Sequence, residues 1–326
     1  MLRIAGVLAL LISLYVTLRL ADKNALGSRN LIDVANRQGF YGVLTLGVAV
    51  LIVTGAIDLS IGSVAGLAAI TFGLLMGDGV PPILAAGIVL CGGMLIGLAH
   101  GLLVTRLKLQ AFLVTLCGLF IYRGIARYIS KRPVNLSDNP SLTESIDFLR
   151  WVLIGKDEKS VLIFPAQLFV MLLLALAIGL ILHKSVIGRY WYAIGYNESA
   201  ARYSGIATDR YRILAFVISS TLASLGGILM LLDLRTADPN NAGTNWELFA
   251  ITGAVLGGCS LKGGEGTAIG IVLGAAVLPL LQNAISFVEI GGKEIPDSVI
   301  PVVIGFTLLL GTIVDEFFRK RSAGRK

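Results

Sequence analysis

The feature that most constrains this chain is a series of long apolar runs. The clearest run is residues 161–182, which contains no acidic or basic residue. A helix needs about 20 consecutive apolar residues to cross the hydrocarbon core of a bilayer. The chain is 56% hydrophobic and only 14% charged, whereas a soluble domain is roughly 25% charged. The sequence therefore predicts an all-α polytopic integral membrane protein.

The apolar runs predict about ten membrane-spanning helices. They are expected at residues 4–18, 40–57, 61–77, 82–104, 110–130, 161–182, 213–232, 248–259, 267–288 and 298–314. The run 4–18 resembles a signal peptide, but no small-x-small cleavage site follows it, which favours a membrane anchor. Residues 28–38 carry charges between apolar positions at helical spacing and predict a separate interfacial helix. The hydrophilic connection 131–160 is too short for a domain of its own, so residues 1–326 are predicted to form one transmembrane domain.

Two of the predicted spans are interrupted or short, near residues 55–63 and 248–266. The gap between residues 57 and 61 is too short for a solvent loop, yet it contains an ionisable residue, Asp58. Irregular backbone at membrane depth is tolerated only where protein or a water-filled cavity satisfies it. Asp58 is therefore interpreted either as a cap on the following helix or as part of a polar path.

Polar residues at the start of these two segments are the candidates for a translocation route. They are Asp58, Ser60, Ser63, Asn245 and Glu247. Asn245 and Glu247 are expected at the outer mouth of the second segment. Three other polar residues lie near the ends of predicted spans: His100 is expected to be hydrogen-bonded at the membrane interface, and Arg123 and Arg127 to extend toward it.

The polar stretch 183–212 separates two long apolar runs and contains a short predicted helix at its centre. Asn197 suits the N-cap, Glu198 the positive end of the helix dipole, and Gly205 a left-handed stop. The alanines between them, Ala200 and Ala201, favour the helix. Two turns cannot offset the nucleation cost of a helix in water, so the segment is either an ordinary loop or an element held by packing against something else.

Several function classes are excluded by what the sequence lacks. The net charge of +7 is not gathered in a basic patch with interleaved aromatic residues, which argues against nucleic-acid binding. The glycine-rich residues 257–266 do not match the motif G-x-x-x-x-G-K-[ST], and the motifs of metalloproteases and serine hydrolases do not occur. We therefore expect a transport protein without a catalytic site, a metal or an ATP site of its own. A secondary transporter stays open, because broken helices and a buried Asp are typical of that class.

Orientation is predicted from the charge of the tail. Five basic residues follow the last predicted span: Arg319, Lys320, Arg321, Arg325 and Lys326. The positive-inside rule places such a cluster in the cytoplasm. With ten spans, both termini, the tail 316–326 and residues 183–212 are then cytoplasmic, and the connection 131–160 lies on the opposite, periplasmic side.

Four ordered stretches resemble the permease subunits of bacterial ABC importers for monosaccharides, of the ribose, xylose and galactose type. They are residues 54–69, 106–128, 188–212 and 246–270. The resemblance implies a type II importer fold in the bacterial inner membrane and a second permease copy or paralogue. It also implies a periplasmic sugar-binding protein and a cytoplasmic ATPase that binds the ATP. Residues 197–205 resemble the coupling helix that docks in a groove of that ATPase.

The chain departs from the family pattern at three places. Ala56 stands where the pattern has Gly, His100 where it has Asn, and Phe249 where it has an acidic residue. Loss of that acid is expected to narrow or dry the path, so the particular sugar stays open, with autoinducer-2 and nucleoside permeases as related possibilities. An ion-coupled secondary transporter of a small polar solute is the alternative from another class.

Overall fold

The structure is a computed structural model that describes residues 2–21, 26–156 and 161–287, with scattered positions between 289 and 313. Most of the described residues are helical. The helices are α1 (Leu2–Ala21), α2 (Ser28–Val53), α3 (Ile61–Gly77), α4 (Pro82–Thr105), α5 (Ala111–Ile129), α6 (Thr143–Leu153), α7 (Ala166–Lys184), α8 (Val186–Tyr196), α9 (Glu198–Tyr203), α10 (Thr208–Leu234), α11 (Trp246–Leu256) and α12 (Ala268–Ser286). The two-residue strands are β1 (Val134–Asn135), β2 (Thr236–Ala237), β3 (Glu289–Ile290) and β4 (Lys293–Glu294).

The helices confirm the prediction of an all-α polytopic membrane protein. Within the described residues, six helices are long and apolar enough to cross a membrane: α2, α4, α5, α7, α10 and α12. Shorter apolar helices lie at Gly6–Leu20, Ile61–Gly77 and Trp246–Leu256. Most of the predicted span 298–314 and all of the tail 316–326 fall outside the described residues, so the count of ten stays a prediction.

Helix α2 corrects the prediction of a separate interfacial helix at residues 28–38. It runs without a break from Ser28 to Val53, because the segment contains no proline and the helix continues through its first glycine, Gly39. That glycine serves a different purpose. A Cβ atom at Gly39 would lie 2.1 Å from the backbone carbonyl carbon of Gln167, so the missing side chain lets α2 and α7 approach closely.

The centre of the molecule is α10, which packs against α2, α3 and α4. A stripe of glycines on α4 allows the closest of these contacts. Cβ atoms at Gly93, Gly97 and Gly101 would lie within 2.8 Å of atoms of α10, so the spacing i, i+4, i+8 forms one flat face. Most of α2 and α10 is buried, whereas α4, α5 and α7 are largely exposed. Apart from basic residues in the last turns, such as Arg127 and Lys184, their exposed side chains are mostly apolar, as lipid or a protein partner in the membrane requires.

The end of the bundle that carries α6, β1 and β2 is here called the β1–β2 end. The hydrophilic connection 131–160 contributes β1, two 3₁₀ turns and α6 to it, although the sequence predicted only a connection. Strand β1 pairs antiparallel with β2, Val134 opposite Ala237. The opposite end carries α8, α9 and the glycine-rich loop 257–266, and is called the α9 end.

Arg150 holds α6 against the rest of the β1–β2 end. It is only 1% exposed, and its Nε donates a hydrogen bond of 2.8 Å to the carbonyl oxygen of Leu232 on α10. Asp147 on the same helix lies 3.6 Å from the Arg150 guanidinium and also pairs with Arg235. Burial and the nearby charge of Arg235 lower the pKa of Arg150, and Asp147 opposes this shift.

Candidate functional site

The first part of the candidate site is the interruption between α2 and α3. Helix α2 ends at Val53, and Gly55 has φ of +80°. The N–H groups of Gly55 and Ala56 donate to the carbonyl oxygens of Ile52 and Leu51. This pair of bonds is a Schellman motif, which satisfies the last carbonyls of α2 inside the protein. Residues 54–60 therefore form a defined, hydrogen-bonded interruption between two helices, as the sequence predicted.

Asp58 lies in this interruption and is fully buried. Its Oδ1 accepts hydrogen bonds from the N–H and the hydroxyl of Ser60, at 2.8 and 2.6 Å. Its Oδ2 accepts one of 3.3 Å from the hydroxyl of Ser219 on α10. Ser63 in turn donates to the carbonyl oxygen of Ser60 at 2.8 Å. Asp58 thus satisfies Ser60, the residue just before α3, and not the free N–H groups of the first turn of α3 that a standard N-cap would satisfy.

The start of α11 meets the start of α3. Asn245 precedes α11 with φ of +65°, a left-handed conformation that Asn tolerates. A Cβ atom at Gly62 would lie 2.2 Å from Oε2 of Glu247, and one at Gly243 would lie 1.9 Å from the carbonyl oxygen of Gly62. Two helix N-termini, each with a positive dipole end, thus converge beside two carboxylates, those of Asp58 and Glu247.

Glu247 lies inside the bundle against α3, with 7% of its surface exposed. Asn245, two residues earlier, is exposed. Oε2 of Glu247 has no hydrogen-bond partner in the described part of the chain. Asp58 and Arg123 are both close enough for their charges to act on Glu247. Arg123 is half-buried, and two of its nitrogen atoms, Nε and Nη2, are buried without a partner among the described residues. Its expected extension toward the membrane interface stays a prediction.

His100 is also inside the bundle, at 2% exposure, so the expected interfacial position is wrong. The expected hydrogen bond is present: Nε2 of His100 lies 2.9 Å from the hydroxyl of Tyr122 on α5. The ring of Phe216 on α10 packs on its other side, at 6.2 Å between centroids. Arg127, the neighbour of Arg123 along α5, donates to the carbonyl oxygen of Asn240 at 3.2 Å.

Several buried polar atoms of this region lack a hydrogen-bond partner within the described residues. They are His100 Nδ1, Arg123 Nε and Nη2, Ser220 Oγ, Glu247 Oε2 and Thr252 Oγ1. Each such group costs about 1–3 kcal/mol when nothing satisfies it. Proteins retain such groups mainly where water, an ion or a ligand completes the bonding. They lie on α4, α5, α10 and α11, the helices around the two interruptions.

The second part of the site is the predicted short helix, α9, and its local features are confirmed. Oδ1 of Asn197 accepts a hydrogen bond of 2.9 Å from the N–H of Ala200, so Asn197 is the N-cap. Glu198 is the first helical residue. Gly205 has φ of +85°, and the N–H of Ile206 closes the end on the carbonyl oxygen of Ala201 at 3.1 Å.

The two alanines of α9 differ in exposure. Ala200 is exposed and Ala201 is 5% exposed, so Ala201 packs against the chain itself. Tyr203 is 93% exposed and stands on the free surface of the helix. A groove of about 610 Å³ lies beside α9 and is lined by Glu198 and Arg202 among others. The surface available to another protein is therefore the one that carries Ala200 and Tyr203.

Arg212 connects α9 to the interruption between α2 and α3. Its Nη1 lies 2.8 Å from Oε2 of Glu198, and its Nη2 donates to the carbonyl oxygen of Thr54 at 3.4 Å. Thr54 is the C-cap residue of α2, four residues before Asp58. One side chain therefore bridges the α9 surface and the end of the broken helix.

The glycine-rich loop 257–266 gives the α9 end its close packing. The N–H of Gly264 donates to the carbonyl oxygen of Val53 at 2.9 Å. A Cβ atom at Gly263 would lie 2.7 Å from Cα of Gly55 and 2.9 Å from Cα of Gly195. Burial of Tyr192, with a smaller contribution from Cys259, raises the pKa of its hydroxyl to about 12; that hydroxyl donates to the carbonyl oxygen of Gly266 at 2.8 Å. The loop packs α8 against the end of α2.

Comparison with known proteins identifies the family. The profile of the family described as branched-chain amino acid transport system / permease component matches residues 30–311. The chain belongs to this family. The permease is 33% identical over 311 residues to the ribose import permease protein RbsC of Escherichia coli, covering 95% of this chain and 92% of the relative. It is 29% identical over 312 residues to the ribose import permease protein RbsC of Bacillus subtilis, covering 95% and 91%.

A third relative of the permease carries a different solute in its name. The autoinducer 2 import system permease protein LsrC of Yersinia enterocolitica is 32% identical over 282 residues, covering 84% of this chain and 73% of the relative. No solved structure matches the permease. The resemblance to permease subunits of ABC importers for sugars, first seen in the four ordered stretches, is confirmed by these relatives.

Sequence reasoning missed three residues of the permease that the structure brings into the site. Arg123 was expected at the interface, and neither Tyr122 nor Arg212 was singled out. The one available signal was that Arg123 lies within a predicted span, where a charge is costly and usually functional. Phe249 is on another side of α11, with its ring stacked on Tyr41 of α2 at 5.0 Å.

Proposed function

We propose that this chain is the transmembrane subunit of an ATP-driven importer that passes a small neutral sugar, of the monosaccharide class, into the cytoplasm. The names of its relatives, ribose and autoinducer 2 import permeases, support the substrate class. The absence of an ATP-binding motif from the sequence supports a separate ATPase subunit that binds ATP.

The observation that carries the proposal is the connection from α9 to the broken helix. An exposed, capped helix with Tyr203 on its surface suits docking in a groove of a partner. Arg212 joins Glu198 on that helix to Thr54 at the end of α2. Movement of a docked ATPase would therefore be transmitted through one charged side chain to the segment that holds Asp58.

The orientation follows from this assignment. The α9 end faces the cytoplasm with both termini, and the β1–β2 end faces the periplasm, where a sugar-binding protein delivers the solute. Ten spans and a position in the bacterial inner membrane complete the topology. A second copy of the permease, or a paralogue, covers part of the exposed apolar surface of α4, α5 and α7.

The path for the sugar runs beside the two helix interruptions. Sugar hydroxyl groups both donate and accept hydrogen bonds. They therefore suit the carboxylate oxygen of Glu247 and the nitrogens of Arg123 that lack a partner in the part of the chain that the structure describes. Asp58, Ser60 and Ser63 shape the start of α3, and Asn245 sets the start of α11. A neutral solute avoids the cost of bringing a net charge to membrane depth.

The docking part of the proposal is tested with a matched pair of variants, Ala200→Trp and Ala201→Trp. The complex of permease, ATPase and binding protein is reconstituted in proteoliposomes, and D-ribose uptake is measured beside ATP hydrolysis. Ala200→Trp is expected to leave the permease folded, because Ala200 is exposed, while uptake and stimulated ATP hydrolysis fall at least about tenfold as the docking surface is blocked. Ala201→Trp is expected to destabilise α9 itself, because its side chain is buried. Normal uptake by a folded Ala200→Trp complex would show that α9 is an ordinary loop.

The buried carboxylates favour one second candidate, an ion-coupled secondary transporter. Buried carboxylates such as Asp58 and Glu247 beside broken helices are typical of the sites where such transporters hold a coupling cation or proton. The same proteoliposomes separate the two functions. Uptake by the permease alone on a sodium or proton gradient, without ATPase or ATP, would favour the second candidate and exclude the first.

A further inference from the structure

A second cavity lies at the β1–β2 end, apart from the Asp58–Glu247 region. Its volume is about 330 Å³, and it is bounded by the first part of α2 and by parts of α7, α10, α11 and α12. The first turn of α11 separates the two regions. Glu247 lies against Gly62 on α3, whereas Trp246, one residue earlier, lines the cavity.

The decisive residue of the cavity is Gln167, in the first turn of α7. Its side chain lines the cavity and is 1% exposed. Neither its amide nitrogen Nε2 nor its oxygen Oε1 has a hydrogen-bond partner among the described residues. A buried primary amide that makes no bond is costly in both its donor and its acceptor. A ligand at this position would therefore have to both donate and accept hydrogen bonds.

The backbone of Gln167 is held firmly in this place. Asn36 Oδ1 accepts a hydrogen bond of 3.1 Å from the N–H of Gln167, and Asn36 is itself only 5% exposed. At Gly39, α2 also packs closely against the backbone carbonyl group of Gln167. The amide is thus presented on a fixed support, as binding sites require.

The rest of the lining combines an aromatic wall with balanced charges. The rings of Trp246 and Phe40 pack edge to face at 4.9 Å between centroids, and both line the cavity. Lys156 and Asp233, which also line it, form an ion pair with each other. The other two charged residues of the lining, Asp33 and Arg37, carry one charge of each sign. The lining as a whole is therefore neutral, which favours a neutral ligand over a phosphate or another anion.

We propose that this cavity binds one small neutral polyhydroxylated molecule of the monosaccharide class. A sugar hydroxyl both donates and accepts, so one ligand can satisfy both atoms of the Gln167 amide. The apolar C–H face of a sugar ring packs on an indole ring such as that of Trp246. The volume is at the lower end of the range of ligand pockets, roughly 300–1,000 Å³. The choice of the sugar class rests on the proposed function, and the existence of the site does not.

Occupation of the cavity has a consequence for α11. Trp246 and Glu247 are consecutive residues of its first turn, and the turn begins at Asn245, which holds a left-handed conformation. A ligand in the cavity therefore contacts the same helical turn that positions the Glu247 carboxylate.

The test is equilibrium binding of sugars to the full-length permease in lipid nanodiscs, without ATPase or binding protein. D-ribose, D-xylose and D-galactose are the probes, and the intrinsic fluorescence of tryptophan is the signal. Wild type is expected to show a saturable change that Trp246→Phe abolishes. Gln167→Leu, which keeps the size and removes the amide, is expected to bind about tenfold more weakly, as loss of hydrogen bonds to a ligand predicts.

Gln38→Leu is the matched control. Gln38 is close to Asn36 on α2 but makes its own bond to the carbonyl oxygen of Val272, at 3.3 Å, and does not line the cavity. Its variant is expected to bind as wild type does. Gln167→Met repeats the removal of the amide with a more flexible side chain, in case Gln167→Leu does not fold.

Two results would overturn the inference. One is wild-type protein that shows no saturable binding of any of the three sugars. The other is unchanged affinity in the folded Gln167 variants, which would assign the signal to another site. Either result can occur while the complete complex still transports sugar with ATP, so failure here is distinct from failure of the proposed function.

Discussion

Helix α9 and helix α6, one at each end of the permease, are held in opposite ways. The contacts that shape α9 join residues close in sequence: Asn197 caps the N–H of Ala200, and Glu198 pairs with Arg212. Helix α6 depends on a distant contact, because Arg150 bonds to Leu232, 82 residues along the chain, and β1 beside it pairs with the similarly distant β2. Helix α9 is therefore shaped by local capping, whereas α6 and its surroundings are held by distant ionic and backbone contacts.

The two arginines that hold these elements are expected to serve different purposes: Arg150 stabilises the fold, and Arg212 transmits the movement of a docked ATPase in the proposed function. Arg150 is buried and fixes α6 on the end of α10. Arg212 is partly exposed and joins two elements that a docked partner would move relative to each other. We therefore expect a substitution of Arg150 to act on folding, and one of Arg212 on transport in a folded protein.

The largest effect is expected from Arg150→Ala. It removes a buried guanidinium and leaves the carbonyl oxygen of Leu232 without its donor. Truncation of a large buried side chain leaves a cavity that costs about 2–5 kcal/mol, so the free energy of unfolding should fall by that amount. Denaturation of the detergent-solubilised permease measures the loss. Hydrogen exchange in α6 is expected to accelerate most.

Arg150→Met is the matched control, because methionine keeps much of the length and removes the charge. Asp147 retains Arg235 as a partner in both variants, but methionine fills most of the space that alanine leaves empty, so a smaller loss than in Arg150→Ala is expected. An Arg150→Ala protein that is as stable as wild type would show that α6 is held by its apolar face alone, and the contrast between the two ends would disappear.

A smaller effect, on activity, is expected from Arg212→Met. The variant loses the bond to Glu198 and the bond to Thr54. Hydrogen bonds to charged groups contribute about 1.5–3 kcal/mol, which corresponds to a loss of roughly tenfold or more. In the reconstituted complex, sugar uptake and stimulated ATP hydrolysis should both fall while the ATPase still copurifies with the permease.

Arg210→Met is the control for this experiment. Arg210 lies two residues before Arg212 on α10 and is exposed, so its variant changes the charge of the α9 end without breaking the connection. If Arg210→Met and Arg212→Met transport at the same rate, the bridge from α9 to Thr54 does not transmit anything and only net charge matters.

The same contrast between local and distant contacts decides which features could be predicted from the sequence. The short helix at 197–205, its cap and its stop follow from residue types a few positions apart, and all three are confirmed. The interruption at residues 54–60 follows from glycines and an Asp between two apolar runs. Helix α6 was missed because its amphipathic pattern lies in a charged connection, and its burial depends on Leu232 and Arg235, far along the chain.

The central site was predictable only in part for the same reason. The residues Asp58, Ser60 and Ser63 share one short stretch, so their grouping could be predicted. The approach of Glu247 to Gly62 and the bond from Ser219 to Asp58 depend on how α10 and α11 pack. Burial of His100 and of two Arg123 nitrogens could not be read from the helix ends near which they lie. Tyr122, which bonds to His100, and Glu247, whose charge interacts with Arg123, come from other helices.

The smallest effect on stability is expected from Asp58→Asn. Asp58 combines local hydrogen bonds from Ser60 with a distant one from Ser219. The amide oxygen can still accept both local bonds from Ser60, and the amide nitrogen can donate to the hydroxyl oxygen of Ser219, so the free energy of unfolding should change by about 1 kcal/mol or less. Removal of the charge weakens any bond to a sugar hydroxyl by a similar amount, so uptake should fall about fivefold in a complex that assembles fully.

Asp58→Ala removes every one of these bonds, and both stability and uptake should fall further. Unchanged uptake in both variants, with full assembly, would mean that Asp58 neither shapes the start of α3 nor contacts the transported solute.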